Sequence, residues 1–416
     1  MNGLFSCLFI PHPSQEISHS SYSEFHLFHH AFLTMCRYNN IISFHTPLKG
    51  TALATPVAVV LPTSYRALVT GGTGFVGSHI ARLLHQQGHT VRILHRANSK
   101  MDALQGVPFE SALGDVTDAD AVRKAVEGCD VVYHVAAVAD YWRTDVKEMY
   151  RVNVDGTHHV MQAAKAAGVR RVVFTSSAAA LGFINDRPAD EKDNFNQKAE
   201  LFPYGYSKCK AEEVVAEAVA KGLDVVTVNP TVIIGPGDLN MISGTFIVQT
   251  ARFQWLTPYT SGGVAVTDVR DVARWHLLAA EKGRMGERYI LSTTNYSYKE
   301  WFKLIADSIG VTKPRIYVPN FVLPTAVRMV SLLQRLHVSL PLDENQVRLG
   351  SKRVHFNPAK AWKELGEPQI EMRQSICETF AWYEAHGFIP QDVFAGLRQG
   401  FSRGINRIRL MRRNAS

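Results

Sequence analysis

Cysteine is scarce and scattered in this chain of 416 residues: Cys7, Cys36, Cys129, Cys209 and Cys377 form no Cys-x-x-Cys pair and show no metal-ligand spacing. A disulfide framework and a zinc site are excluded on that count, no metal is expected, and a reducing cytoplasm fits best. Long apolar runs are also lacking. The nearest candidates, Val57 to Leu61 and Phe321 to Leu333, are short or broken by Pro and Arg, whereas a membrane-spanning helix needs roughly 18 or more apolar residues. Residues 1–64 are poor in charge and lack any sustained helix or strand period, and their first Lys or Arg is Arg37. A secretory signal would want an early basic region and a transit peptide several arginines, so neither is expected. This stretch reads instead as a disordered extension, or as a start placed too far upstream with Met35 as an internal alternative. Acids are missing at the other end: none follows Asp392, while Arg398, Arg403, Arg407, Arg409, Arg412 and Arg413 carry much of the formal net charge of +8. With Ile405, Ile408 and Leu410 interleaved, this tail (391–416) is the one segment suited to peripheral contact with an anionic membrane, or else is a solvated tail. No nucleic-acid recognition motif accompanies it.

What is present begins near Tyr65. Short β-branched runs (Ala67 to Thr70, Val91 to Leu94, Val131 to Val135, Arg171 to Thr175, Val225 to Asn229) alternate with Ala- and Leu-rich helical stretches such as His79 to Gln87 and Thr157 to Ala167. Near-continuous apolar strands separated by helices predict a parallel sheet covered on both faces, an α/β doubly wound fold of Rossmann type. Residues 65–234 are read as the nucleotide-binding domain. Residues 235–390, where helices near Asp271 to Glu281, Tyr298 to Ile309 and Ile370 to His386 follow looser Gly- and aromatic-containing loops, are read as a smaller C-terminal substrate lobe with returning elements.

The first strand ends in Thr70-Gly71-Gly72-Thr73-Gly74-Phe75-Val76-Gly77, ahead of a helix expected to start near Ser78. Gly71 permits a tight turn, Gly74 lets backbone approach a pyrophosphate, and Gly77 allows close helix packing, while the helix N-terminus offers free N–H groups to phosphate. The second strand closes with His95-Arg96 and not with the acid that would accept from a ribose 2′-hydroxyl. Arg96 can fork onto a 2′-phosphate, so NADP(H) is favoured, with NAD(H) as the alternative. Asp115 suits the adenine amino group or a solvated turn.

What reads as the fourth strand delivers Thr175-Ser176-Ser177, and Tyr204-Gly205-Tyr206-Ser207-Lys208 opens a later helix. Tyr204 and Lys208, four apart, share a helix face. A carbonyl gaining hydride needs a proton donor, and a phenol of pKa about 10 needs its anion stabilised. The ammonium supplies that, and Ser177 can align the substrate oxygen. Tyr206 and Lys210 repeat the spacing, so the residues alone leave two candidate pairs.

Taken together, Thr70-Gly71-x-x-Gly74-x-x-Gly77, Asp115, Ser177 and Tyr204-x-x-Ser207-Lys208-x-x-Ala211-Glu212 resemble the extended short-chain dehydrogenase/reductases, or NAD-dependent epimerase/dehydratases, over roughly Arg66 to Gly387. Val132-Tyr133-His134-Val135-Ala136-Ala137, Tyr150-Arg151-Val152-Asn153-Val154-Asp155-Gly156-Thr157 and Asn229-Pro230-Thr231 draw the likeness toward dihydroflavonol-reductase-like proteins and hopanoid-associated sugar epimerases. The resemblance selects Tyr204 and Lys208 over Tyr206 and Lys210. It implies that Asn153 supports the active-site helix, and that Thr73, Phe75, Val76, Val116, Val135, Ala136, Ala137, Pro230 and Thr231 line the cofactor, with Pro230 beside the nicotinamide. It also implies a homodimer built on the helix after Thr157 and the one bearing Tyr204.

Two departures bear on the substrate. Sugar epimerases usually place a tyrosine four residues after the serine, where this chain has Leu181, and bring basic groups to a diphosphate where this chain has Phe246, Phe253, Trp255 and Tyr259 with Arg252. Those aromatics fit either an apolar pocket or plain core. The leading expectation is an NAD(P)-dependent reductase or dehydrogenase of ketones and secondary alcohols. An epimerase that oxidises a sugar and returns the hydride is the second, and a non-catalytic NADP(H)-binding module, which would have lost the tyrosine or lysine, the third.

Overall fold

The computed structural model describes residues 61–139, 145–184, 186–241, 243–325, 327–328 and 350–389. The expectations for the first 60 residues and for the basic tail lie outside them. Seven strands form the main sheet: β1 (Arg66–Thr70), β2 (Thr90–His95), β3 (Glu110–Leu113), β4 (Val131–His134), β5 (Arg171–Thr175), β6 (Val225–Pro230) and β7 (Arg288–Leu291). All pair in parallel, in the order 3-2-1-4-5-6-7. This is the doubly wound Rossmann arrangement, whose order reverses between β1 and β4 and so opens a crevice at their carboxyl ends.

Side-chain alternation along β1 shows how one short run serves two layers. Ala67 and Val69 join Ile80, Ala81 and Leu84 of the helix Phe75–Gln86, together with Val272 and Trp275 of the helix Val269–Lys282. Leu68 points the other way, to a cluster with Val122, Val160, Ala164, Ala211 and Val215 on three further helices. Period-2 geometry therefore turns a continuous apolar string into a sheet buried on both faces.

Two local expectations are corrected. The strand carrying Thr175 is the fifth, because Glu110–Leu113 adds an edge strand beside β2. Its half-exposed alternation, with Leu113 at 66% exposure, hides it among turn-like residues. The first helix starts at Phe75, three residues before Ser78, with Gly74 as its N-cap in extended backbone. Phe75-Val76-Gly77 has weak helix propensity, but docking of Gly77 on the turn overrides it: a Cβ there would lie 2.2 Å from Gly71 O.

The smaller lobe is organised by the strand Gly263–Asp268, which runs antiparallel to Thr294–Ser297 and parallel to Val232–Ile234 and Arg353–Val354. Ile247, Val264, Val266, Trp301, Phe302, Ile305 and Ile376 fill its core. The chain then returns: the helix Val269–Lys282 packs on the main sheet and β7 closes its edge. Among the described residues, no helix is long and apolar enough to cross a membrane.

Candidate active site at the carboxyl ends of the central strands

The glycine turn closes tightly at the end of β1. Gly71 takes φ +69°, and a Cβ on it would meet Ala136 N and Cα at 2.8 Å, so the turn and the loop after β4 touch backbone to backbone. That loop is held at both ends. The Val135 and Ala136 N–H groups donate to Thr70 Oγ1 at 3.1 Å each, and Val138 exchanges two hydrogen bonds with the Asn153 side chain, at 2.8 and 3.1 Å. The helix from Phe75 has neither a side-chain cap nor an acid in its first turn, which leaves its N-terminal N–H groups and dipole open to an anion. A cradle that a single Cβ would fill, facing an uncapped helix start, fits a dinucleotide pyrophosphate.

Toward the far end of this crevice, Arg96 is two-thirds exposed with its Nε 4.0 Å from an Asp115 oxygen. Asp115 meanwhile accepts from the Thr117 N–H and hydroxyl. Val116 is buried against Gly156. Pro230 ends β6, and Thr231 donates its N–H to Leu291 O.

Ser177 and Tyr204 come from separate elements, the exit of β5 and the first turn of the helix Pro203–Ala220, and the Ser177 side chain comes near enough to act on the Tyr204 phenol. Burial pushes the Tyr204 phenol above its ordinary 10, and the nearby Ser177 hydroxyl opposes that shift. Lys208 is 2% exposed, donates to Thr175 O at 2.8 Å and lies 5.3 Å from the centre of the Phe174 ring. Burial holds its ammonium down to about 8, with Glu212 pulling the other way. An ammonium has three protons to donate, so this buried cation keeps donors beyond the one given to Thr175. Asn153 sits in a π-turn, Arg151–Asp155, and donates to Ser207 Oγ at 2.9 Å, which in turn donates to Tyr204 O at 2.7 Å. Widened turns of this kind re-aim side chains at functional sites.

The competing pair is spent elsewhere. Lys210 makes an ion pair with Glu213 at 2.9 Å, and Tyr206 packs among Tyr150 and Phe195. The aromatic stretch divides. Phe246 is part of the lobe's core, with ring centres 5.9 to 6.5 Å from Tyr298, Trp301 and Phe302, because its helix turns that face inward. Tyr259 pairs with Tyr317 and Trp255 is half exposed.

Sequence reasoning missed the polar layer beneath these groups. Glu212 accepts from Ser176, from Asn229 at 2.7 Å and from Arg288 at 3.1 Å. His276 completes that layer, 2.9 Å from Thr175 Oγ1. The signal available was a charged residue one turn past Lys208 on a helix that must bury that face.

Residues 67–292 match the NAD dependent epimerase/dehydratase family. The chain belongs to that family. A Synechocystis protein provisionally named dihydroflavonol 4-reductase is 36% identical over 329 residues, which is 77% of this chain and 95% of its own. Sterol demethylase protein B of Methylococcus capsulatus is 32% identical over 333 residues, 77% of this chain and 99% of its own. The crystal structure of gox2253 superposes with a TM-score of 0.68 at 33% identity, covering 78% of this chain and 99% of that one. Family membership makes this chain an NAD(P)-dependent enzyme of the reductase, epimerase and dehydratase class.

Proposed function

We propose that the protein reduces a ketone to a secondary alcohol, or runs the reverse oxidation, with NADP(H). The observation that carries this reading is the approach of Ser177 to Tyr204 with a buried ammonium one helix turn behind it. Gly71, Thr73, Gly74, Phe75, Val76 and Gly77 would hold the pyrophosphate, Val135, Ala136, Ala137, Pro230 and Thr231 the nicotinamide half, and Asp115 with Val116 the adenine side. When bound, the dinucleotide supplies or accepts hydride.

The chain's own groups handle the proton. Ser177 donates to the substrate oxygen and fixes it beside Tyr204, and Tyr204 delivers its phenolic proton as alkoxide develops. Lys208 stabilises the resulting phenolate, which burial would otherwise disfavour. Asn153 keeps the helix start in place through Ser207. Arg96 supports the NADP(H) choice: it stands at the end of β2, largely exposed, where an acid would accept from a ribose hydroxyl. The relatives named for a dihydroflavonol and for a sterol support a ring-bearing substrate.

The deciding experiment is a screen of cyclic ketones for NADPH oxidation by the wild type and by Tyr204→Phe. Turnover should fall about 10³-fold in the variant, within the range that a positioned proton donor supplies, with NADPH affinity retained. Equal turnover by the two removes Tyr204 from the mechanism. A cofactor that stays bound while a sugar is inverted, with no net NADPH consumed, makes the protein an epimerase instead.

A further inference from the structure

The cofactor turn and the catalytic helix lie on different strands, and a line of buried side chains joins them. His134, the last residue of β4, is fully buried, with Nδ1 2.8 Å from Thr70 Oγ1 and Nε2 3.0 Å from Thr157 Oγ1. Thr157 Oγ1 reaches back to Asn153 O at 2.6 Å. Asn153 holds Ser207, and Ser207 holds the carbonyl of Tyr204.

We propose that His134 is a positioning residue that locks the dinucleotide-binding turn to the helix bearing Tyr204, through hydrogen bonds whose proton order admits only its neutral, Nε2-protonated form.

The order follows from counting protons. A carbonyl only accepts, so the single proton of the Thr157 hydroxyl goes to Asn153 O, and toward His134 that oxygen can only accept. Nε2 therefore carries the hydrogen. A neutral imidazole then has a bare Nδ1, which must accept, and the donor is the Thr70 hydroxyl. Having given its proton to His134, Thr70 Oγ1 has two lone pairs left, and the Val135 and Ala136 N–H groups fill both. Every valence of Thr70 Oγ1 is used. A second proton on His134 would face that oxygen with no lone pair to receive it and would strand the threonine's own proton.

The surroundings agree. Phe174 lies alongside the imidazole at 5.6 Å between ring centres, and the nearby charge is the Lys208 ammonium. Burial first, and Lys208 second, hold the His134 imidazole down to about 3. Thr70 Oγ1 thus draws the Val135–Ala136 loop against Gly71 at the close approach that only glycine allows, while Thr157 carries the same line to Asn153. Loss of one link should loosen the cofactor cradle and the seat of Tyr204 together.

The inference rests on the reading of this crevice as the dinucleotide site. Its test is Thr157→Val, which keeps volume and removes the hydroxyl, with Thr157→Ser as the rescue and Thr70→Val as a second break from the opposite end. NADPH and NADH affinities are measured by fluorescence titration, and the His134 tautomer by nitrogen-15 NMR of the imidazole. The wild type should show Nε2–H at every pH from 5 to 9. Each valine variant should weaken dinucleotide binding about tenfold, the order of one buried hydrogen bond with its neighbour left unpaired, and Thr157→Ser should stay within twofold of wild type. A His134 that titrates near 6.5, a proton found on Nδ1, or valine variants that lose thermal stability yet bind dinucleotide as wild type would each overturn the lock. Tyr204→Phe tests the catalytic reading separately, since it should leave both the affinity and the tautomer unchanged.

Discussion

The carboxyl edge of the main sheet and the core of the smaller lobe solve opposite problems. At the sheet edge, polar side chains are buried deliberately: Thr70, His134, Asn153, Thr157, Ser207 and Lys208 are all nearly inaccessible, and each is hydrogen-bonded. In the smaller lobe the burial is aromatic, with Trp301 fully enclosed and stacked 5.5 Å from Tyr296, and its indole N–H without a hydrogen-bond partner among the described residues. Low dielectric makes a satisfied polar layer rigid and an unsatisfied one costly, whereas an aromatic core tolerates adjustment. The difference teaches where precision is stored. Fixed orientation of polar groups resides in the sheet edge, and the lobe's core is held by aromatic packing.

The comparison breaks most visibly if the lobe is hollowed out. Trp301→Ala should cost about 3–5 kcal/mol of stability, read by urea denaturation, while NADPH affinity stays within twofold. A large loss of affinity in the still-folded variant would mean that the lobe's core also sets the cofactor site. Next in size, Ser177→Ala should lower turnover about 10²- to 10³-fold with little change in fold stability, measured by steady-state kinetics beside a thermal melt.

A pH profile sharpens the same contrast. Below about pH 8 Lys208 is charged and Tyr204 protonated, so the reductive rate should sit on a plateau; above it the ammonium is lost and the rate should fall about tenfold per unit. For stability the sign is opposite. A lysine that ionises near 8 when folded and near 10.5 when unfolded leaves the unfolded chain binding more protons between those values, so stability should rise across that window. A flat rate from pH 7 to 10 would detach Lys208 from the proton step. The smallest effect is expected at the exposed rim: Arg96→Ala should weaken NADPH about tenfold, the loss of one charge-assisted bond, and leave NADH unchanged. Equal losses for both dinucleotides would place Arg96 outside the 2′-phosphate site.

Much of the fold was legible because it is local. Val131 to His134 and Arg171 to Thr175 are short β-branched runs with apolar interiors, and their length and branching favour strands buried on both faces over helix. The glycine turn was legible for the same reason. The edge strand Glu110–Leu113 was not, since its half-exposed residues carry the weak signal of any loop. Nor was the start of the first helix, where a glycine inside the first turn is tolerated only through its contact with Gly71. At the site, residue types and spacing left Tyr204–Lys208 and Tyr206–Lys210 equivalent, and burial separates them: one lysine is enclosed beside Phe174, the other paired with Glu213 at the surface.

By itself, then, the order of residues determined the parallel sheet, the tight glycine turn and the set of groups able to move a proton, because periodicity, glycine freedom and side-chain chemistry act over a few residues. Only the tertiary structure decided which groups meet. Thr70 and His134 lie 64 residues apart, and Asn153 and Ser207 54 apart. A hydrogen bond across such a separation depends on strand order and helix docking, which no local pattern encodes.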